Sequence, residues 1–151
     1  MKLSQIVKIA YKEALKAKSF EEVPVGAVIF NDTGIVSKAY NQVIKQSDHL
    51  AHAEILAIKK ATRKLNKISL RGYKIYTTLE PCLLCSYAIS KYLISTVYFG
   101  AYDIKNGNIE NGVRMFNNEY KGFRPEIYGG IGIEKSSTLI KNFFKEVRKK
   151  S

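Results

Sequence analysis

His52-Ala53-Glu54, followed downstream by Pro81-Cys82-Leu83-Leu84-Cys85, is where this sequence can do chemistry. One imidazole and two thiols form a mixed nitrogen and sulfur donor set, which suits zinc better than a hard cation. Three protein ligands leave a tetrahedral zinc with one open position, and that position separates a catalytic zinc from a structural one. Water can take it, and zinc lowers the pKa of such a water from about 16 to near 7. Two thiolates balance the charge of the dication, so the resulting hydroxide stays nucleophilic. Glu54 is not needed as a ligand and stands two residues from His52. It is placed to accept the water's proton and hand it to a leaving group, acting first as base and then as acid.

Each half of this constellation is weak alone. A Cys-x-x-Cys also serves redox pairs and structural zinc sites, and His-x-Glu is less specific still. Together, with a helix and a strand between them and Pro81 before the first Cys, they assign His52, Cys82 and Cys85 as ligands and Glu54 as the catalytic group. His49, the other histidine, reads as a surface or supporting residue, and Glu80 as structural.

The elements that must position these groups follow from periodicity. Leu3, Ile6, Val7, Ala10, Ala14 and Leu15 recur at helical spacing, which predicts a helix over 2–17. Residues 25–30 form an apolar run read as a buried strand, and Asn31-Asp32-Thr33-Gly34 is a turn leading into a second strand over 35–41. A helix is expected over 52–65, a β-branched and aromatic strand over 74–79, a helix over 82–92 and a strand over 96–99. Residues 103–112 are rich in Asn and Gly and read as an irregular loop; 126–128 reads as a fifth strand and 136–149 as a terminal helix. Strands alternating with helices imply an α/β sheet with helices on its faces. Both metal motifs then fall at helix N-termini. Proline suits such a start, and the positive helix end favours thiolate over thiol.

With 151 residues the chain is read as a single domain, 1–151. No apolar run approaches the roughly 20 residues of a membrane span, and Lys8, Lys12, Glu13 and Lys16 interrupt any signal-like segment, so a cytoplasmic protein is expected. The only two cysteines share one Cys-x-x-Cys, which leaves no disulfide framework and fits a reducing compartment. The net charge is +12, with an acid-free run of Lys59, Lys60, Arg63, Lys64, Lys67, Arg71 and Lys74 and a C-terminal cluster of Lys141, Lys145, Arg148, Lys149 and Lys150. Such a distribution points to a polyanionic partner such as nucleic acid.

His-x-Glu followed by Pro-Cys-x-x-Cys is the known signature of zinc nucleobase deaminases, and on it the chain is identified as a member of the cytidine-deaminase-like superfamily. Within it the chain resembles the bacterial tRNA-specific adenosine deaminases. The narrower resemblance rests on Val23-Pro24-Val25-Gly26-Ala27-Val28, Asn41, Thr78-Leu79-Glu80-Pro81-Cys82, Phe99-Gly100-Ala101 with Asp103 and Lys105, and Phe143-Phe144 before basic residues. It implies a three-layer α/β/α fold around a central five-stranded mixed sheet, a homodimer, one zinc per subunit, and conversion of adenosine to inosine at the wobble position. The implied partner is a tRNA anticodon stem-loop with its target base flipped into the pocket. By position, Asn41 and Val25 would meet the target nucleoside, Asp103 and Lys105 the neighbouring nucleotides, and Phe143 the RNA, with Phe144 packed in the core. The chain departs from that family at 106–111, where a small-residue run is usual, at Tyr102, where a basic residue is common, and at Asp48-His49-Leu50.

Two other readings use the same motifs. A deaminase of free guanine or cytosine shares the zinc centre but needs no basic surface. A zinc-stabilised RNA-binding module without catalysis needs no Glu54.

Overall fold

The computed structural model describes residues 1–150. The chain runs through α1 (Leu3–Ser19), β1 (Gly26–Asn31), β2 (Gly34–Tyr40), α2 (Val43–Gln46), α3 (Ala53–Leu65), β3 (Lys74–Leu79), α4 (Leu83–Lys91), β4 (Thr96–Ala101), β5 (Glu126–Tyr128) and α5 (Ile133–Lys150). The strands form one sheet in the order β2-β1-β3-β4-β5. β1 is antiparallel to both neighbours, β2 and β3, while β3, β4 and β5 are parallel, so the sheet is mixed as expected.

Side chains alternate across a strand, and here both faces are apolar. Ala27, Ile29, Ile75, Val97 and Phe99 pack on one face with Ala53, Ala57, Ile58 and Ala61 of α3 and Ile89 of α4. Val28, Phe30 and Tyr76 pack on the other with Ile6 and Ala10 of α1. The result is the three-layer α/β/α arrangement, with α3 and α4 on one side and α1 and α5 on the other. Small residues let α1 lie close to the sheet. A Cβ on Gly26 would run into the Ala10 carbonyl and lie 2.7 Å from the Ala14 nitrogen.

This topology gathers one edge of the sheet. β1 begins where the parallel strands end, because it runs against them. Val25 before β1, Asn41 after β2, Glu80 after β3 and Tyr102 after β4 therefore share that edge. Ligands of open α/β sheets bind at the carboxyl ends of the parallel strands, and both metal motifs open here. The short α2, of four residues, has no sequence period of its own. Its N-terminus is held from outside the helix, by the buried Glu22 carboxylate, which accepts from the N–H of Ile44 at 3.0 Å and of Lys45 at 2.8 Å. No helix among the described residues is long and apolar enough to cross a membrane.

Candidate active site

His52 and Cys82 are the N-cap residues of α3 and α4, each with extended backbone angles. A cap residue stands outside the helical backbone, so its side chain reaches past the first turn. Cys85 lies within the first turn of α4, on the same side as Cys82 by helical spacing. The N–H of Ser86 closes that turn on the Cys82 carbonyl at 2.9 Å. Glu54 sits in the first turn of α3 and is 5% exposed.

These elements bring His52 Nδ1 to 3.6 Å from Cys82 Sγ and 3.4 Å from Cys85 Sγ. All three ligand atoms lie within 4.8 Å of one another. Zinc bonds of about 2.0–2.1 Å to nitrogen and 2.3 Å to sulfur, at a tetrahedral angle, put N and S about 3.5 Å apart. The two observed N···S separations match that edge, and the donor set is the one zinc prefers, so the residues fit the metal.

The electrostatics favour cation binding. Among the protein groups alone, the Cys82 thiol is lowered to about 4, first by the hydrogen bond from Cys85, with His52 adding to it against the effect of burial. The hydrogen bond to Cys82 and burial push Cys85 well above its ordinary value. One proton thus sits between two sulfurs, ready to be displaced by a cation. The hydrogen bond with Cys82 raises His52, with the Glu54 charge and the His49 backbone helping. His49 therefore supports the site through its main chain, while its side chain is exposed. Burial raises the Glu54 carboxyl to about 6, and the Cys82 charge adds to the shift. A carboxyl in this range can take and give a proton near neutral pH at little cost.

The remaining sequence-derived residues divide by position. Asn41 and Val25 are buried at the shared sheet edge, and the N–H of Asn41 donates to the Val25 carbonyl at 3.1 Å. The Asn41 side-chain amide makes no hydrogen bond to any described residue, although the residue is only 6% exposed. Asp103 and Lys105 lie on the loop after β4. Asp103 Oδ1 accepts from the N–H of Lys105 at 3.2 Å and of Asn106 at 3.0 Å. Lys105 is exposed. Tyr102 packs edge-on against Phe99, with ring centroids 5.2 Å apart.

One of the two α5 rings corrects the sequence reading. Phe144, expected in the core, is 44% exposed, and Phe143 is 9% exposed. The buried stripe of α5 runs Ser136, Leu139 and Phe143, at spacings of three and four, and this turns Phe144 outward. The pair meets at 5.3 Å. Two supporting residues carry no motif in the sequence. Glu22 holds α2, and Asn111 donates its side-chain N–H to Glu80 Oε1 at 2.7 Å. Glu22 has only the local signal of an acid before an apolar run, and Asn111 is one of several amides in an Asn- and Gly-rich loop.

Comparison with known proteins follows the same lines. The profile of the cytidine and deoxycytidylate deaminase zinc-binding region matches residues 1–101. The tRNA-specific adenosine deaminase of Rickettsia bellii is 45% identical over 141 residues, covering 92% of this chain and 97% of the relative. That of Bacillus subtilis is 35% identical over 144 residues, covering 95% and 89%. A solved structure from work on A-to-I editing by tRNA:A34 deaminases at the wobble position of transfer RNA superposes with a TM-score of 0.88 at 36% identity. The match covers 90% of this chain and 99% of that one. The guanine deaminase of Nitrosomonas europaea superposes with a TM-score of 0.73 at 18% identity, covering 93% and 81%, a likeness of fold alone.

Proposed function

Because the chain belongs to the tRNA-specific adenosine deaminases, within the cytidine and deoxycytidylate deaminase zinc-binding family, we propose that it hydrolyses adenosine to inosine at the wobble position of a tRNA anticodon. The observation that carries this reading is the buried Glu54 carboxyl beside three atoms spaced as zinc ligands. His52, Cys82 and Cys85 would hold the metal. When bound, zinc activates water for hydrolysis near neutral pH. As the water oxygen bonds to C6 of the purine, Glu54 accepts a proton from that water and gives it to the ring nitrogen. It then takes the second proton from the hydroxyl on C6 and gives it to the amino group, which leaves as ammonia as the C–N bond breaks and the C6 carbonyl of inosine forms. Its burial excludes bulk water from this exchange and keeps its affinity for protons near the working pH.

The unpaired amide of Asn41 and the apolar side chain of Val25 receive the target nucleoside. Asp103 and Lys105 meet the flanking nucleotides, and Phe143 supports the RNA-facing side of α5, where Phe144 is the exposed ring. The base must leave its stack to reach a buried carboxylate. The charge of +12 supports a phosphate-rich partner. A binding module without catalysis gives no reason for a buried, protonatable Glu54 next to the ligands. The test compares three substrates under one condition: an anticodon stem-loop with wobble adenosine, free guanine and free cytosine. Inosine is expected in the stem-loop and no turnover of either base; turnover of guanine or cytosine with the stem-loop untouched overturns the assignment.

Residues 1–151 act as a single deaminase domain, and two copies form a homodimer. The dimer is supported by Leu83, Leu84 and Tyr87 on α4 and by Leu50, all exposed beside the metal-bearing helix starts. Sedimentation equilibrium is expected to return twice the chain mass, and a single-chain mass at micromolar concentration contradicts it. The site works in the cytoplasm, where thiols stay reduced. Recovery of a Cys82–Cys85 disulfide from cells lysed in alkylating agent would speak against that compartment.

A further inference from the structure

The 103–111 loop has no regular secondary structure, yet its backbone converges on one side chain. The Glu80 carboxylate, in a residue 2% exposed, accepts from the N–H of Asp103 at 3.0 Å through Oε1. Through Oε2 it accepts from the N–H groups of Ile109, Glu110 and Asn111 at 3.1, 2.8 and 3.0 Å. The Asn111 side chain adds a fifth bond, at 2.7 Å, to Oε1. Successive backbone N–H groups folded around one anion form a concave nest. Here the anion belongs to the protein itself.

The residue is also tied to the metal centre. Its own N–H donates to the Ala101 carbonyl at 2.8 Å, joining the ends of β3 and β4. The next residue, Pro81, accepts from the N–H of Asn108 at 3.0 Å, and Cys82 follows directly. Gly107 permits the close wrapping: a Cβ there would meet the Asp103 carbonyl and lie 2.5 Å from Glu80 Cδ and 2.6 Å from Oε1. The outward side of the loop is left open. Asp103 uses only Oδ1 within the protein, and the Lys105 ammonium has no partner among the described residues.

We propose that Glu80 is a positioning residue for substrate recognition: its carboxylate fastens the 103–111 loop to the segment that carries Cys82, so that Asp103 and Lys105 meet the RNA at a fixed offset from the metal centre. This rests on the RNA-deaminase reading for its substrate, while the fastening itself stands on geometry alone. Asn111 takes part in the lock through both its backbone N–H and its side-chain amide. A carboxylate replaced by an amide turns one acceptor oxygen into a donor facing other donors, so Glu80→Gln weakens the lock and Glu80→Ala removes it. Gly107→Ala disturbs the same contact from the loop side without touching the charge.

The experiment measures amide hydrogen exchange at Asp103, Ile109, Glu110 and Asn111, zinc content, and steady-state kinetics on a wobble-adenosine stem-loop. Glu80→Gln, Gly107→Ala and Asn111→Ala are compared with the native chain, Asn111→Ala being the mildest and the safeguard if another fails to fold. Exchange is expected to accelerate at those amides by about tenfold or more in Glu80→Gln and Gly107→Ala. KM should rise by about tenfold while kcat stays within about threefold and zinc is retained. Asn111→Ala should move both readouts in the same direction by less. Exchange unchanged, or exchange accelerated with KM unchanged, overturns the proposal. So does loss of zinc and kcat at constant KM, which would make Glu80 a support for the metal alone. A native chain that leaves the stem-loop untouched counts against the substrate assignment instead, and the exchange arm still decides the fastening.

Discussion

Cys82 and Cys85 stand three residues apart and yet behave as unlike groups, one lowered to about 4 and the other pushed well above its usual value. The difference arises because one proton serves both sulfurs in a partly buried pocket. A cation removes that asymmetry by binding both as thiolates. Cys85→Ser therefore deletes a ligand and leaves Cys82 and His52 without the third donor. Loss of affinity beyond about a hundredfold is expected, since even supporting residues outside the ligand set cost 10–100-fold. Metal analysis after dialysis against a competing chelator checks this: the native chain should keep one zinc and the variant essentially none, and stoichiometric zinc in the variant would refute the ligand set. The grouping of His52, Cys82 and Cys85, with Glu54 buried in the first turn of α3, was legible in the sequence because it rests on short local spacing. Glu22 and Asn111 were not, because each acts on residues far along the chain, Asn111 on Glu80 thirty-one positions away. The outward face of Phe144 was not legible because adjacent residues on a helix differ in facing by about 100°, and only the stripe Ser136, Leu139 and Phe143 shows that Phe144 turns away from the core.

Strands and long helices were legible from their periods, since a sheet buried on both faces and helices with one apolar stripe leave plain patterns. α2 escaped because a four-residue helix has no period of its own and depends on Glu22. The order of the strands was not legible either: β1 lies between β2 and β3, and nothing local to β1 states that it pairs with both. Tyr76 shows how β3 ties the layers together. It is fully buried, and its hydroxyl donates to the Ile131 carbonyl at 2.6 Å, just before α5. Burial pushes its pKa up to about 12, from 10.0. A phenol raised in the folded state contributes stability that is intact below pH 10 and is lost as pH rises towards 12, because the unfolded chain gives up that proton first. With 1.36 kcal/mol for each unit, the loss is roughly 2–3 kcal/mol. Urea unfolding at pH 9 and pH 11.5 should show a steeper fall for the native chain than for Tyr76→Phe, and equal falls would contradict this account of the β3–α5 contact.

At the scale of the whole molecule, charge and site are separated. α3 starts at the metal centre and runs away from it, so Arg63 and Lys64 in its last turn stand about 16–18 Å from His52 along the helix axis. Lys59, Arg63, Lys64 and Lys67 pair with no acid among the described residues. The basic residues of the last turns of α5 form a second surface. A substrate that uses both must be larger than a free base, and a folded RNA meets that need. The basic composition was plain in the sequence, but its division between two helices emerges only from the fold. The central claim joins this surface to the chemistry of one carboxylate, and it is tested most directly by the inosine formed in a wobble-adenosine stem-loop by the native chain and by Glu54→Ala, with zinc measured in both samples. The account predicts inosine from the native chain and a loss of about a hundredfold or more in the variant while its zinc is retained. Inosine formed at the native rate by zinc-loaded Glu54→Ala would contradict it.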